Sequence, residues 1–188
     1  ACAFVNHTMP ADRFIGDNID CVILLHGLTR TSRSMQQIEQ ALAAEGFHVV
    51  NVDYPSRKYT IETLASLAID QGLTECPSDS KVNFVTHSLG GILVRYYFAV
   101  NANARLGRVV MLAPPNRGSE VVDRLKAFPG FDLLNGPAGS QLGTGVDSVP
   151  LNLGPVHFEL GVIAGTASIN PILSQFLPNP DDGKVSVA

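Results

Sequence analysis

The stretch Val82-Asn83-Phe84-Val85-Thr86-His87-Ser88-Leu89-Gly90-Gly91 restricts what this chain can become more than any other. An apolar run rich in β-forming residues stops abruptly at Thr86-His87-Ser88-Leu89-Gly90-Gly91. Ile92-Leu93-Val94-Arg95-Tyr96-Tyr97-Phe98 then continues without a breaker, as a buried helix does. A strand, a very tight turn with serine at its apex and a helix make the corner that lifts a nucleophilic hydroxyl above a sheet. Strain at the serine admits only small residues two positions to either side. Gly90 meets that demand, whereas Thr86 stands where glycine is usual. The first N–H groups of the helix point at the same spot, where they favour developing negative charge. The competing reading is an ordinary strand-to-helix turn that happens to contain a serine.

Strands and helices alternate around this corner. Cys21-Val22-Ile23-Leu24-Leu25 is a continuous apolar run, as expected of a strand covered on both faces, and it stops at His26-Gly27-Leu28-Thr29-Arg30. Thr31 and Ser32 are placed to cap a helix with Met35, Ile38 and Leu42 on one face, which Gly46 ends. Phe47 to Val52 predicts a second strand, broken by Asp53-Tyr54-Pro55-Ser56. Thr60 starts a helix with Ile61, Leu64, Ala65 and Ala68 on one side, closed by Gly72. After the Ser88 corner, Arg108 to Leu112 reads as a strand ended by Ala113-Pro114-Pro115-Asn116. This rhythm predicts a mostly parallel, doubly wound sheet between two helical layers, a three-layer α/β/α sandwich. In such sheets ligands gather beyond the carboxyl ends of the strands. His26-Gly27-Leu28, Ser88 and Pro114-Pro115-Asn116 all stand at such ends.

The text changes between 117 and 159. Ser119 to Phe128 predicts an amphipathic helix through Val121, Val122 and Leu125, while Pro129 to Pro155 is rich in Gly, Pro and Ser without a clear period. That stretch is either a small lid passing over the site or an irregular surface connection. Its apolar residues Phe128, Phe131, Leu133, Leu134 and Leu142 either line an acyl pocket or pack onto the sheet. Phe158 to Ala164 restores a strand.

Length suits one domain over 1–188, and a net charge of −4 without a basic stripe argues against nucleic acid or polybasic membrane attachment. No apolar run reaches the ~18 residues that span a bilayer. Ala1-Cys2-Ala3-Phe4 has neither an initiator Met nor a signal peptide, consistent with a start left by processing or by trimming. Cys2, Cys21 and Cys76 lack zinc-site spacing. If the strand opened by Cys21 and the one preceded by Cys76 are parallel neighbours, both sulfurs reach the same end of the sheet. A Cys21–Cys76 disulfide, and with it export, is then one expectation; two unpaired thiols with Cys21 buried is the other. Export to periplasm or medium is slightly favoured over the cytoplasm.

Taken in order, His26-Gly27-Leu28, Thr86-His87-Ser88-Leu89-Gly90-Gly91, Pro114-Pro115-Asn116-Arg117-Gly118-Ser119 and Asp182-Gly183-Lys184-Val185 resemble the α/β-hydrolase superfamily, in its small bacterial lipase/esterase branch. The resemblance runs from about Cys21 to the last residue. It implies Ser88 as nucleophile, the Leu28 and Leu89 N–H groups as oxyanion hole, and Asp182 as the acid that orients a histidine, in preference to Asp181. His26, Gly27, Pro115 and Asn116 would flank the substrate, with His26 also supporting the oxyanion loop. The reaction implied is hydrolysis of an acyl ester or lipid through an acyl-enzyme. No metal or organic cofactor is implied, and oligomeric state is open.

The family order is serine, acid, histidine, and no histidine follows Asp182. His87 adjoins Ser88 with its side chain expected to point away from the attack path, and His7 and His48 take structural or solvent roles. His157 would require the order serine, histidine, acid. The simpler expectation is a polypeptide continuing beyond Ala188 with a further strand, the histidine and a final helix. Competing functions are an acyltransferase at the same site and a silent binding protein of this fold. A nucleotide-binding domain is disfavoured, because His-Gly-Leu-Thr-Arg has neither a dinucleotide nor a Walker pattern.

Overall fold

The computed structural model describes residues 19–126 and 130–165. Among them, strands β1 (Cys21–Leu25), β2 (His48–Val52), β3 (Val82–His87), β4 (Leu106–Leu112) and β5 (Leu160–Ile163) form one sheet in the order β2-β1-β3-β4-β5. Every neighbouring pair is parallel. The chain winds outward from β1 to β2, then returns to lay β3 on the other side of β1. The crevice beyond the carboxyl ends of β1 and β3 therefore lies at the switch point, where such sheets bind ligands.

The helices fall into two layers. A short 3-10 turn (Ser32–Met35) and α1 (Gln36–Ala44) follow β1. Val22 and Leu24 pack with Met35, and Ile38 and Leu42 of α1 lie against them. On the opposite face Cys21, Ile23 and Leu25 join Ile61, Leu64 and Ala68 of α2 (Ile61–Glu75) and Ile92 and Leu93 of α3 (Leu89–Val100). All five residues of β1 are buried, as its unbroken apolar run predicts. Two helix ends differ from expectation. Thr31 makes no side-chain cap, and the 3-10 turn intervenes before α1. Gly72 does not end α2, which runs to Glu75; a Cβ at Gly72 would lie 2.9 Å from Ile23 Cδ1. The glycine is there to let helix and strand approach.

Cys21 and Cys76 are bonded, with Cα atoms 5.8 Å apart. The bridge ties the first residue of β1 to the residue after α2, and both ends are buried.

The helix predicted from Ser119 appears as α4 (Glu120–Leu125), and the aperiodic stretch beyond it carries two more, α5 (Phe131–Ser140) and α6 (Val149–Asn152). Pattern reading passes over α5 because Gly136 and Pro137 interrupt it. Gly136, at φ 67° and ψ −176°, divides the helix in two. A Cβ at Gly136 would fall 1.8 Å from the Arg57 carbonyl oxygen, so backbone meets backbone there. The Ala138 N–H donates to the Tyr59 carbonyl at 3.2 Å, and Gln141 Oε1 accepts from the Ile61 N–H at 2.7 Å. This segment is thus fastened to the loop that leads into α2. Phe131 and Leu142 are core, whereas Leu133 and Leu134 are exposed; Phe128 lies outside the described residues.

Candidate active site

Ser88 stands between β3 and α3 at φ 51°, ψ −115°, a conformation that costs a non-glycine residue roughly 1–3 kcal/mol. The sheet and the helix hold it there: its N–H donates to the Leu112 carbonyl at 2.9 Å, and its carbonyl accepts from the Gly91 N–H at 3.0 Å. Gly90 permits the bend, since a Cβ would lie 2.7 Å from the Leu25 oxygen and 3.1 Å from that of His26. Thr86, where glycine is usual, is fully buried with its hydroxyl 3.5 Å from the Val110 carbonyl.

The turn after β1 comes up beside the serine. A Cβ on Gly27 would lie 3.4 Å from Ser88 Cβ and 2.7 Å from His87 Nδ1, so the bare Gly27 backbone is flanked by both side chains. Leu28 follows, its side chain packed under α5 near Gly139. Among the described residues, neither the Leu28 nor the Leu89 N–H has a hydrogen-bond acceptor. For Leu89 this follows from its place as the first residue of α3.

Beyond Leu28 the loop is pinned. Thr29 has φ 59°, and its N–H donates to Ser56 Oγ at 3.1 Å; the Arg30 N–H closes the turn onto the Gly27 carbonyl at 3.2 Å. Ser56 itself is buried. Ser56→Ala is expected to lower kcat about tenfold while KM moves little, because a looser loop holds its N–H less firmly toward a developing charge. Steady-state kinetics against wild type, with Ser56→Thr as rescue, check it.

His26, expected beside the substrate, has no solvent exposure. Its Nδ1 lies 2.9 Å from the Gly27 carbonyl, which accepts its proton in the tautomer where Nε2 accepts from the Tyr54 N–H at 3.3 Å. The ring stacks on Tyr54 with centroids 4.0 Å apart, and the Tyr54 hydroxyl donates to the His26 carbonyl. His26 therefore braces the loop from below instead of touching substrate. Burial drives its pKa below the ordinary 6.5, although the Gly27 carbonyl and Asp53 pull the other way. The unfolded chain takes up this proton first. Stability contributed by the neutral ring is therefore complete above about pH 7 and is lost as pH falls through the mid-6 range and below. Thermal melts between pH 8 and 5 are expected to show this slope, and His26→Asn, though less stable throughout, to flatten it.

Across the crevice, Pro114-Pro115-Asn116 leaves β4 through Ala113 at φ 46°. Pro115 is buried, and Asn116 is held by a side chain that the sequence reading passed over. Arg95 of α3, only 9% exposed, donates through Nη1 to the Asn116 carbonyl at 3.0 Å and to Asn116 Oδ1 at 3.1 Å. Through Nη2 it donates to the carbonyls of Pro150 (3.3 Å) and Gly154 (2.9 Å). Burial lowers its pKa. The signal for it was a lone cation inside an otherwise apolar helix.

His87 turns its Nδ1 toward Gly27 at the corner itself, while the remaining two described histidines lie far from it. His48 opens β2, with Nε2 3.2 Å from the Glu75 carbonyl, and His157 lines a depression with Asp20, Asn83 and Arg108. Both are at the amino ends of the strands, about 20 Å from Ser88 along β3. The order serine, histidine, acid through His157 is thereby ruled out. His7, Asp181 and Asp182 lie outside the described residues.

A family model described as Alpha/beta hydrolase family matches residues 22–178. No curated protein sequence matches the chain. Among solved structures, the chain is similar to the Bacillus licheniformis lipase BlEst2 in mature form, at 20% identity and TM-score 0.68, covering 91% of this chain and 78% of that one. It is similar to the metagenomic carboxyl esterase MGS0156 at 18% identity and TM-score 0.69, covering 98% and 65%. For the Legionella pneumophila phospholipase PlaB the values are 21% and 0.62, with 91% of this chain but only 44% of PlaB covered.

Proposed function

The chain belongs to the alpha/beta hydrolase family, and we propose that it is a serine hydrolase of carboxylic esters with Ser88 as its nucleophile. One observation carries this reading: a serine held at φ 51° beside the bare backbone of Gly27, with the Leu28 and Leu89 N–H groups uncommitted among the described residues. Strain of that kind persists where the surrounding structure enforces it, and it gathers at functional positions.

Catalysis on this reading begins with a base removing the Ser88 proton as Oγ attacks the ester carbonyl. The carbonyl oxygen becomes an oxyanion, for which the Leu28 and Leu89 N–H groups are the donors, each contributing about 3 kcal/mol to the transition state. Collapse expels the alcohol, protonated by the same base, and leaves an acyl-enzyme. Water then repeats the sequence and releases the acid. On this reading Asp182 is the acid of the triad, which orients the histidine that acts as base. The Cys21–Cys76 bridge favours an oxidising compartment, periplasm or medium.

A fluorophosphonate probe on the full gene product tests the proposal. Stoichiometric labelling that vanishes in Ser88→Ala is expected; a folded protein that takes no label would instead be a binding protein of this fold.

A further inference from the structure

The loop that pins the oxyanion turn also forms one wall of a groove of about 980 Å³. Thr29, Arg30 and Thr31, residues 53–58, and Leu133 and Leu134 of α5 line it. The volume falls within the range of sites for a single small molecule.

Charge in this groove runs against that of the chain. The protein carries a net −4, yet Arg30, Arg57 and Lys58 meet here with one carboxylate, Asp53. Asp53 already accepts the Ser32 N–H at 2.9 Å and stands 3.6 Å from His26 Nε2. Among the described residues none of the three cations has a carboxylate within 4.0 Å; Lys58 Nζ stands 5.4 Å from the Tyr59 ring centroid. Beside them Leu133 is 86% exposed and Leu134 63%. Adjacent exposed leucines on a helix whose Phe131 and Ala138 are buried form a small apolar ledge next to unpaired positive charge. That pairing is complementary to an amphiphile with an acidic end.

We propose that this groove holds the acidic group of the substrate, so that the ester cleaved at Ser88 is one whose molecule also bears a carboxylate or phosphate, with its hydrocarbon part on Leu133 and Leu134. The assignment rests on the hydrolase reading above. It follows the path of the backbone: Gly27 lies beside Ser88, and Thr29, two residues on, lines the groove. A molecule engaging both places would reach the serine along this loop. Guanidinium groups suit such an anion because they can donate in pairs to its oxygens.

Dodecyl phosphate, kept below its micellar concentration, is the probe. Titration calorimetry on the full gene product is expected to show it binding about tenfold more tightly than dodecanol, which lacks the charge, and than inorganic phosphate, which lacks the chain. The preference over dodecanol should shrink as salt is raised. Arg30→Gln/Arg57→Gln should remove that preference, and Leu133→Ser/Leu134→Ser the preference over phosphate; all four are surface changes that leave the core intact. Dodecyl phosphate should also slow fluorophosphonate labelling of Ser88 in wild type but not in the arginine variant. Equal binding of charged and neutral probes, or tight binding that leaves labelling unslowed, would overturn the groove assignment while labelling itself upholds the hydrolase. Absence of labelling in every protein would instead remove the hydrolase reading and this assignment together.

Discussion

Ser88→Ala is expected to lower kcat for hydrolysis of 4-nitrophenyl acetate by the full gene product about 10⁶-fold, with the fold unchanged. The hydroxyl is the only group this change removes, and alanine must adopt the same φ of 51°. Ser88→Gly separates chemistry from strain. It should be equally inactive, yet glycine occupies that backbone region without penalty, so it should be about 1 kcal/mol more stable than Ser88→Ala. For a chain of this size that is about 3 °C in Tm. Activity loss in both variants with a higher melting point only in the glycine variant is the combined signature. Retained hydrolysis in Ser88→Ala, or equal melting of the two, would show that the corner is not holding a reactive group under strain.

Opening the Cys21–Cys76 bridge is expected to cost about 4 kcal/mol, the loop-closure entropy returned to an unfolded chain once a 55-residue separation is no longer tied. Urea titrations of wild type with and without reductant, and of Cys21→Ala/Cys76→Ala, should agree on this loss. The bridge closes the amino end of β1, while Ser88 and Gly27 are at its carboxyl end. Kinetic constants measured well below the unfolding transition should therefore hardly change. A reduced protein as stable as the oxidised one would mean that the bond adds nothing to the packing of α2 on β1.

Most of the framework is legible in the sequence because buried parallel strands write themselves as unbroken apolar runs. Cys21–Leu25 appears in the structure with the bounds its residues suggest, Val82–His87 runs two residues past the apolar run that announces it, and the Ser88 corner has the strained backbone its neighbours imply. Punctuation was less reliable. Gly72 reads as a helix stop, but it serves close packing against Ile23, a demand made by the tertiary structure and absent from any local pattern. Residues 130–152 hide two helices because Gly136 and Pro137 erase the period, and the reason for Gly136 lies far along the chain, at Arg57. At the site, position at strand ends was readable, but which way a side chain faces was not. His26 sits at the expected strand end and turns inward, and Asn116 is held by Arg95.

Arg95 ties both ends of the crevice's rim to one helix. Its guanidinium collects carbonyls from Asn116, Pro150 and Gly154, two stretches of chain separated by everything that forms α4 and α5. Whatever lies between them leaves and returns at one cation on the helix that starts at the serine. That intervening stretch is also held from within, by Ala138 on Tyr59 and Gln141 on Ile61, and Leu28 packs under it, so a change of its length would be felt at the loops beside the Ser88 corner.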